Sequence, residues 1–496
     1  MPDTILRPPG PKGRHCVRSP LLGGAGPLVN LPQFAREFGD ISYWQFLHVS
    51  SCFFAHPNQV ESVLVTHQRS FFKGIGTRAN PEIFGNGLLT SEGKFWLRQR
   101  RLSQPAFHRT PMESYTEIMA CEAEPRLDRW RDGEERDIHR EMMQTTLAIA
   151  TRTLFGIDLG PQRPVIADAL DACIRQNAGL NVWQLILKLP TLKRWRYLRG
   201  ARTLDEIVYG IIQERRESGM GGDLLSDLLR AQDIDGSFMT DQQLRDEVMT
   251  MLLAGHETTA LALSWAWFLL ASHPETQAKL QEEVDRILNG RLPSAADVEQ
   301  LPCTNNLVRE TMRLYPPAWG ITRMAAQPVE IGGYLVPAGS NVILSPWVTH
   351  RDSRFFPQPG AFKPERWAPD QESAAPKFAY FPFGGGPRIC IGNSFALVEA
   401  AILLAAVAQR FEVALVPGQT IEPPLYGWSE DSIPGIDTDV SRDGEQLPAA
   451  LLIVKDEINQ AGASALLVVY LGHEDGLPHA VTGSFGGCDA HFLRLR

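Results

Sequence analysis

Nowhere do the 496 residues offer the ~18 consecutive apolar residues that a membrane span requires. The longest apolar windows, near residues 261–271 and 463–471, are too short or too interrupted. The Pro- and Gly-rich stretch 1–32 carries neither an anchor nor the core of a signal peptide. The sequence therefore predicts a chain without a transmembrane segment, working in the cytoplasm. Basic residues are not in excess: 48 Lys and Arg stand against 57 Asp and Glu, and a net charge of −9 speaks against a nucleic-acid partner. Cysteine is sparse. Cys16, Cys52, Cys121, Cys173, Cys303, Cys390 and Cys488 are odd in number and never form a Cys-x-x-Cys pair, a pattern of reduced thiols rather than of a disulfide framework.

Hydrophobic residues at 44% and charged residues at 21% are ordinary for a globular protein with a large core. One stretch is not ordinary: Phe383-Gly384-Gly385-Gly386-Pro387-Arg388-Ile389-Cys390-Ile391-Gly392 packs four glycines around one cysteine, just before a helical run over 393–410. A cysteine at a helix N-terminus meets unpaired backbone N–H groups and the positive end of the helix dipole, which favour thiolate. Glycines allow a close backbone approach to a ligand-bound sulfur. No second Cys or His lies nearby to complete a zinc site. On these grounds alone Cys390 is evenly poised between an axial ligand to a flat metal cofactor and a buried structural thiol.

The same ten residues resemble, at every fixed position, the haem-binding signature Phe-Gly-x-Gly-x-Arg-x-Cys-x-Gly of the cytochromes P-450. The resemblance implies a mainly α fold with a small β region and a long central helix over haem b. It makes Cys390 the thiolate ligand of the iron, with Phe383 and Arg388 beside the cofactor.

Further motifs follow the chain. Residues 33–70, with alternation at 41–46 and 60–66, predict short strands with a helix between them. Residues 71–89, punctuated by glycines, predict a long loop with apolar tips at Phe84, Leu88 and Leu89. Trp96 and Arg100 share a helical face; on pattern alone this is a solvated basic face. Trp-x-x-x-Arg also resembles the second family motif, which gives both residues to a haem propionate. Residues 185–199 read as a basic, apolar linker around Pro190, and by resemblance as a lid over the substrate cavity.

Thr240 and Gln243 form a capping box that opens a helix running to about residue 271. From Leu252 this helix is apolar nearly all round and so predicted to be buried. Within it, Ala254-Gly255-His256-Glu257-Thr258-Thr259 places a carboxylate and two hydroxyls where burial is costly, with hydroxyls able to bond the i−4 carbonyl and open the helix. The segment resembles the family's acid–alcohol motif, which implies that Glu257 and Thr258 steer protons to dioxygen, with His256 structural. Glu310 and Arg313 face each other at i, i+3; alone they read as a surface ion pair. By resemblance they join Arg366 in a buried triad, with Trp367 where phenylalanine is usual. The resemblance also puts Ala318, Trp319 and Ile321 at the pocket with Leu253 and Ala254, and Arg323 on a propionate.

The resemblance divides the chain into a Pro/Gly-rich segment (1–32), a haem domain (33–425) and an atypical tail (426–496). It implies a monooxygenase that inserts one atom of O2 into an apolar organic substrate. Electrons would come from a separate ferredoxin or flavodoxin with an NAD(P)H-dependent reductase, serving a monomer. A haem-thiolate isomerase or peroxygenase without a reductase, or a haem sensor, are the alternatives.

Overall fold

The computed structural model describes residues 7–11, 26–46, 49–74, 77, 81–158, 160, 163–177, 192–219, 221–233, 236–369 and 375–415. The tail from 426 lies outside these residues, as do most of the N-terminal segment and of the 185–199 lid up to 191. The fold is mainly helical around the 32-residue helix Asp241–Ser272, hereafter the central helix. Its start is set locally: Gln243 N–H donates to Thr240 Oγ1 at 3.3 Å, and Thr240 N–H donates to Gln243 Oε1 at 3.0 Å. It packs on Ile138–Phe155, Leu192–Ser218, Pro302–Leu314 and Asn393–Ala408, the last being the helix that follows Cys390.

Burial of the central helix begins earlier than its hydropathy predicts. Arg245, Asp246 and Glu247 are as buried as the leucines beyond them. The hydroxyls of Thr258 and Thr259 do back-bond, to Ala254 O at 2.8 Å and Gly255 O at 3.5 Å, yet the helix runs unbroken past them.

A five-stranded sheet flanks this helical body, built from β1 (Ile41–Phe46), β2 (Val49–Phe54), β3 (Phe71–Lys73), β4 (Ile321–Ala325) and β7 (Asn341–Leu344) in the order β1-β2-β7-β4-β3. A second sheet pairs β5 (Val329–Ile331) with β6 (Tyr334–Val336). Two sequence expectations change here. Residues 60–66 are helical, not extended: His56 caps the helix Pro57–Glu61, which continues as a π-turn through Ser62–Thr66, and Val60, Val63 and Leu64 point inward at i, i+3 and i+4. The predicted 71–89 loop opens with β3, whose antiparallel register on β4 sets Lys73 directly across from Arg323. Like charges placed opposite each other in a sheet are unfavourable. This juxtaposition is held by the fold rather than sought by the strands.

Candidate active site

The cysteine loop is shaped by its neighbours in the protein. Gly386 has φ +65°, and a β-carbon there would stand 2.0 Å from Leu64 O; one on Gly385 would stand 2.4 Å from the Phe378 ring. The glycines are thus required by packing against residues 64 and 378, not only by the approach to sulfur that the sequence suggested. Cys390 N–H donates to Phe383 O at 3.0 Å, and Phe383 packs on the main core. The cysteine side chain is exposed, and yet burial pushes its thiol pKa up, outweighing the Gly392 N–H and the Arg100 charge that pull it down. A side chain both accessible and surrounded by protein faces an internal space. The central helix shows the same signature: Ala254 and Thr258, one turn apart, are exposed in the middle of an otherwise buried segment.

Cations cluster around Trp96. Arg388 Cζ lies 5.5 Å and Lys73 Nζ 5.8 Å from its ring centroid. Arg388 is held two-pronged by Glu92, at 2.5 and 3.0 Å. Lys73 Nζ donates to Leu88 O at 2.7 Å and Ser91 O at 2.8 Å, and its backbone N–H to Glu92. Burial lowers the Lys73 ammonium to about 7. Arg100, one turn past Trp96, donates to Ile389 O at 2.5 Å and so grips the residue before the cysteine. Arg323 donates to Thr322 O at 2.9 Å; burial, followed by the charge of Arg388, lowers its pKa to about 10. Two further cations of the Trp96 helix, Gly93–Ser103, turn away: Arg98 and Arg101 both pair with Asp233.

This donor set fits haem. The thiol supplies one soft ligand beside an internal space. Lys73, Arg100, Arg323 and Arg388 bring cationic groups together with Glu92 as the carboxylate that pairs with Arg388, a charge balance that suits an anion with two carboxylates.

Glu310, Arg313 and Arg366 come together at full burial of the first two. Glu310 accepts from Arg313 Nε and Nη2 at 2.8 Å each, Arg366 Nε at 2.9 Å, Lys363 N at 3.0 Å and Trp367 Nε1 at 2.9 Å. Arg313 in turn donates to His350 O, Pro359 O and Ala361 O. Of the pocket candidates, Leu88 and Leu253 are buried in the main core, Phe84 packs on its edge, and Ala318 is exposed. Ile321 Cδ1 lies 3.3 Å from where a Gly384 β-carbon would stand. Trp319 is half-buried and packs against the cluster that contains Leu31, Phe34, Trp44 and Phe53. His256 is buried, its Nδ1 2.8 Å from Leu252 O, and burial lowers it to about 4.

Sequence reasoning passed over Lys73, Glu92, the buried trio 245–247 and Glu399. Glu399 is a fully buried carboxyl on the cysteine-following helix, raised to about 8 by burial, with the Thr259 hydroxyl opposing that shift. For Lys73 the only signal was a lysine ending an aromatic run.

Among the described residues no helix is long and apolar enough to cross a membrane. The family model for cytochrome P450 matches residues 8–433. The chain is 40% identical over 378 residues to cyclooctatin synthase from Streptomyces melanosporofaciens, covering 74% of this chain and 82% of that protein. It is 38% identical over 414 residues to cyclooctat-9-en-7-ol 5-monooxygenase of the same organism, covering 81% and 89%. Pentalenene oxygenase from Streptomyces avermitilis is 34% identical over 416 residues, covering 82% and 92%. Among solved structures, the cytochrome P450DA heme domain aligns with a TM-score of 0.75 and 27% identity over 84% of this chain and 94% of that one. The chain therefore belongs to the cytochrome P450 family and is a haem-thiolate monooxygenase, placing one atom of O2 in an apolar organic substrate with electrons from a separate redox partner.

Proposed function

We propose that the cofactor is haem b, that Cys390 ligates its iron, and that the substrate is a cyclic terpene hydrocarbon or its first alcohol. The observation that carries this reading is the accessible Cys390 thiol beside four clustered cations. Arg100, Arg323 and Arg388, with Trp96, would hold the propionates, and Lys73 joins them. When bound, the group supplies reductive activation of dioxygen and transfer of one oxygen atom, with thiolate ligation favouring O–O cleavage.

The chain's own task is to deliver protons and exclude bulk water. Thr258 carries a hydroxyl that faces the internal space and, by leaving Ala254 O, can donate into it and hold a water there. Glu257 is its neighbour in the relay and supplies an exchangeable carboxyl proton. Ala254 and Ala318, small and accessible, leave room for substrate, and Phe84, Leu88, Leu253 and Ile321 make its walls apolar. The relatives' names, pentalenene oxygenase and cyclooctat-9-en-7-ol 5-monooxygenase, favour compact polycyclic hydrocarbons over straight chains. Electrons would come from a ferredoxin or flavodoxin reduced by an NAD(P)H-dependent reductase. The free cysteines 52, 121, 173, 303 and 390 suit the cytoplasm, and the chain would work as a monomer.

Spin-state titration of the haem-loaded protein tests the substrate class. Pentalenene should produce a saturable shift to high spin where lauric acid and a steroid do not; a shift with lauric acid alone would overturn the terpene assignment.

A further inference from the structure

Three titratable residues at the buried start of the central helix, Arg245, Asp246 and Glu247, each hold a different piece of the chain between Glu82 and Leu88. Arg245 Nη2 donates to Glu82 O at 2.8 Å and its Nη1 to Ile83 O at 2.6 Å. Asp246 Oδ2 accepts from Asn86 N–H at 2.8 Å, and Glu247 Oε2 from Leu88 N–H at 3.1 Å. Lys73 completes the grip from the sheet by donating to Leu88 O and Ser91 O. Leu88 is thus held by its N–H from the helix and by its C=O from β3.

The loop lies hard against the helix. Gly85 has φ +47°, and a β-carbon on it would stand 2.1 Å from Asp246 Oδ1; one on Gly87 would stand 2.4 Å from Asp246 O. The clamp is itself braced, with Arg245 Nε donating to Asp205 at 2.6 Å and Gln242 Nε2 to Asp246 Oδ1 at 2.8 Å. Asp205 belongs to the helix Leu192–Ser218, which also reaches the loop through Arg194 and Tyr197 on Glu82.

Burying charge is expensive, and packing alone does not call for it: apolar residues of similar volume in place of a buried ionic network are often neutral or stabilising. What such groups add is register. A slip of this loop by one residue would take Leu88 N–H from the buried Glu247 carboxyl and the carbonyls of Glu82 and Ile83 from Arg245, while Arg245 and Asp246 would keep each other, Asp205 and Gln242. The loop carries Phe84 and Leu88 at one end and runs into Glu92, the partner of Arg388, at the other. Its pose is therefore tied to both the substrate wall and the propionate cations.

We propose that Asp246 and Glu247, with Lys73, are positioning residues that fix the 82–91 loop and so determine which carbon of the substrate is presented for oxygenation. This rests on the reading that Phe84 and Leu88 line the pocket.

The test uses the haem-loaded full chain with two probes, pentalenene and 4-phenylimidazole. Glu247→Leu and Asp246→Ala remove one grip each; Glu247→Gln keeps an acceptor for Leu88 N–H and serves as the conservative rescue. Expected in Glu247→Leu are about tenfold weaker binding of 4-phenylimidazole, faster hydrogen exchange at the Leu88 amide, and a changed ratio of pentalenene products. Total turnover per enzyme should change less than that ratio. Glu247→Gln should restore the product ratio. If Glu247→Leu folds poorly, Asp246→Ala carries the same readouts at the Asn86 amide. An unchanged product ratio and unchanged 4-phenylimidazole binding, with Phe84→Ala altering both, would overturn the clamp while sparing the pocket reading. Indifference of both probes to Phe84→Ala and Leu88→Ala would overturn the pocket reading and the proposal with it.

Discussion

Arg388 and Glu92 form a two-pronged ion pair across the cysteine loop, at 2.5 and 3.0 Å, whereas among the described residues the Arg323 side chain bonds only the carbonyl of Thr322. As propionate holders, the role proposed for both, the two arginines would start from different positions. Arg388 has an internal carboxylate to balance it; Arg323, set opposite Lys73 by the β3–β4 register, would take its anion from the proposed cofactor. Arg323→Met should speed haem transfer to an excess of apomyoglobin by at least about tenfold, and more than Arg388→Met does. The reverse order would assign the principal propionate contact to Arg388.

The Glu310 carboxyl accepts five hydrogen bonds in a site closed to solvent, and one of them comes from the unusual Trp367. Breaking a buried pair by removing one partner costs about 3–5 kcal/mol. Glu310→Ala should lower stability by that order in urea unfolding of the haem-loaded protein. Trp367→Phe, which deletes one donor while keeping an aromatic ring, should cost about 1–3 kcal/mol. No measurable change in Trp367→Phe would make its indole N–H energetically idle.

Thr258 and Thr259 differ by one position and by everything around them. Thr258 is exposed to the internal space; Thr259 is buried. Thr258→Ala should raise the peroxide released per NAD(P)H consumed several-fold with a surrogate ferredoxin system, and Thr259→Ala should leave coupling near that of the parent. Unchanged coupling in Thr258→Ala would mean that protons arrive by another route.

Burial raises Glu399 from an ordinary 4.5 to about 8. A carboxyl raised on folding stays protonated in the folded chain while the unfolded chain has already ionised. Its contribution is therefore fully present below pH 4.5 and is lost as pH climbs through about 8. Glu399→Gln, neutral at every pH, should flatten the fall in urea midpoint between pH 5 and pH 8. An identical pH slope in the variant would show that Glu399 is ionised in the folded protein.

What could be read from the sequence was what local chemistry determines. The Thr240–Gln243 capping box starts the central helix because its partners are three residues apart. Residues 60–66 misled because β-branched residues mimic strand alternation, while the deciding signal, the His56 cap with Pro57 at the first turn, sits upstream. Arg245, Asp246 and Glu247 drew no notice in the sequence, since their role depends on backbone groups some 160 residues earlier. The Lys73–Arg323 juxtaposition is a property of strand register and has no trace in either segment alone. Trp367 was visible as a departure from the usual residue, but its role appears only with Glu310 2.9 Å away.

The most direct test of the account is the absorption spectrum of the reduced, haem-loaded protein under carbon monoxide. Ligation by Cys390 predicts a Soret band at the red-shifted position from which the family takes its name, lost in Cys390→Ser with the fold retained by circular dichroism. A band at the position of histidine-ligated haem in the parent protein, or an unaltered spectrum in Cys390→Ser, would contradict it.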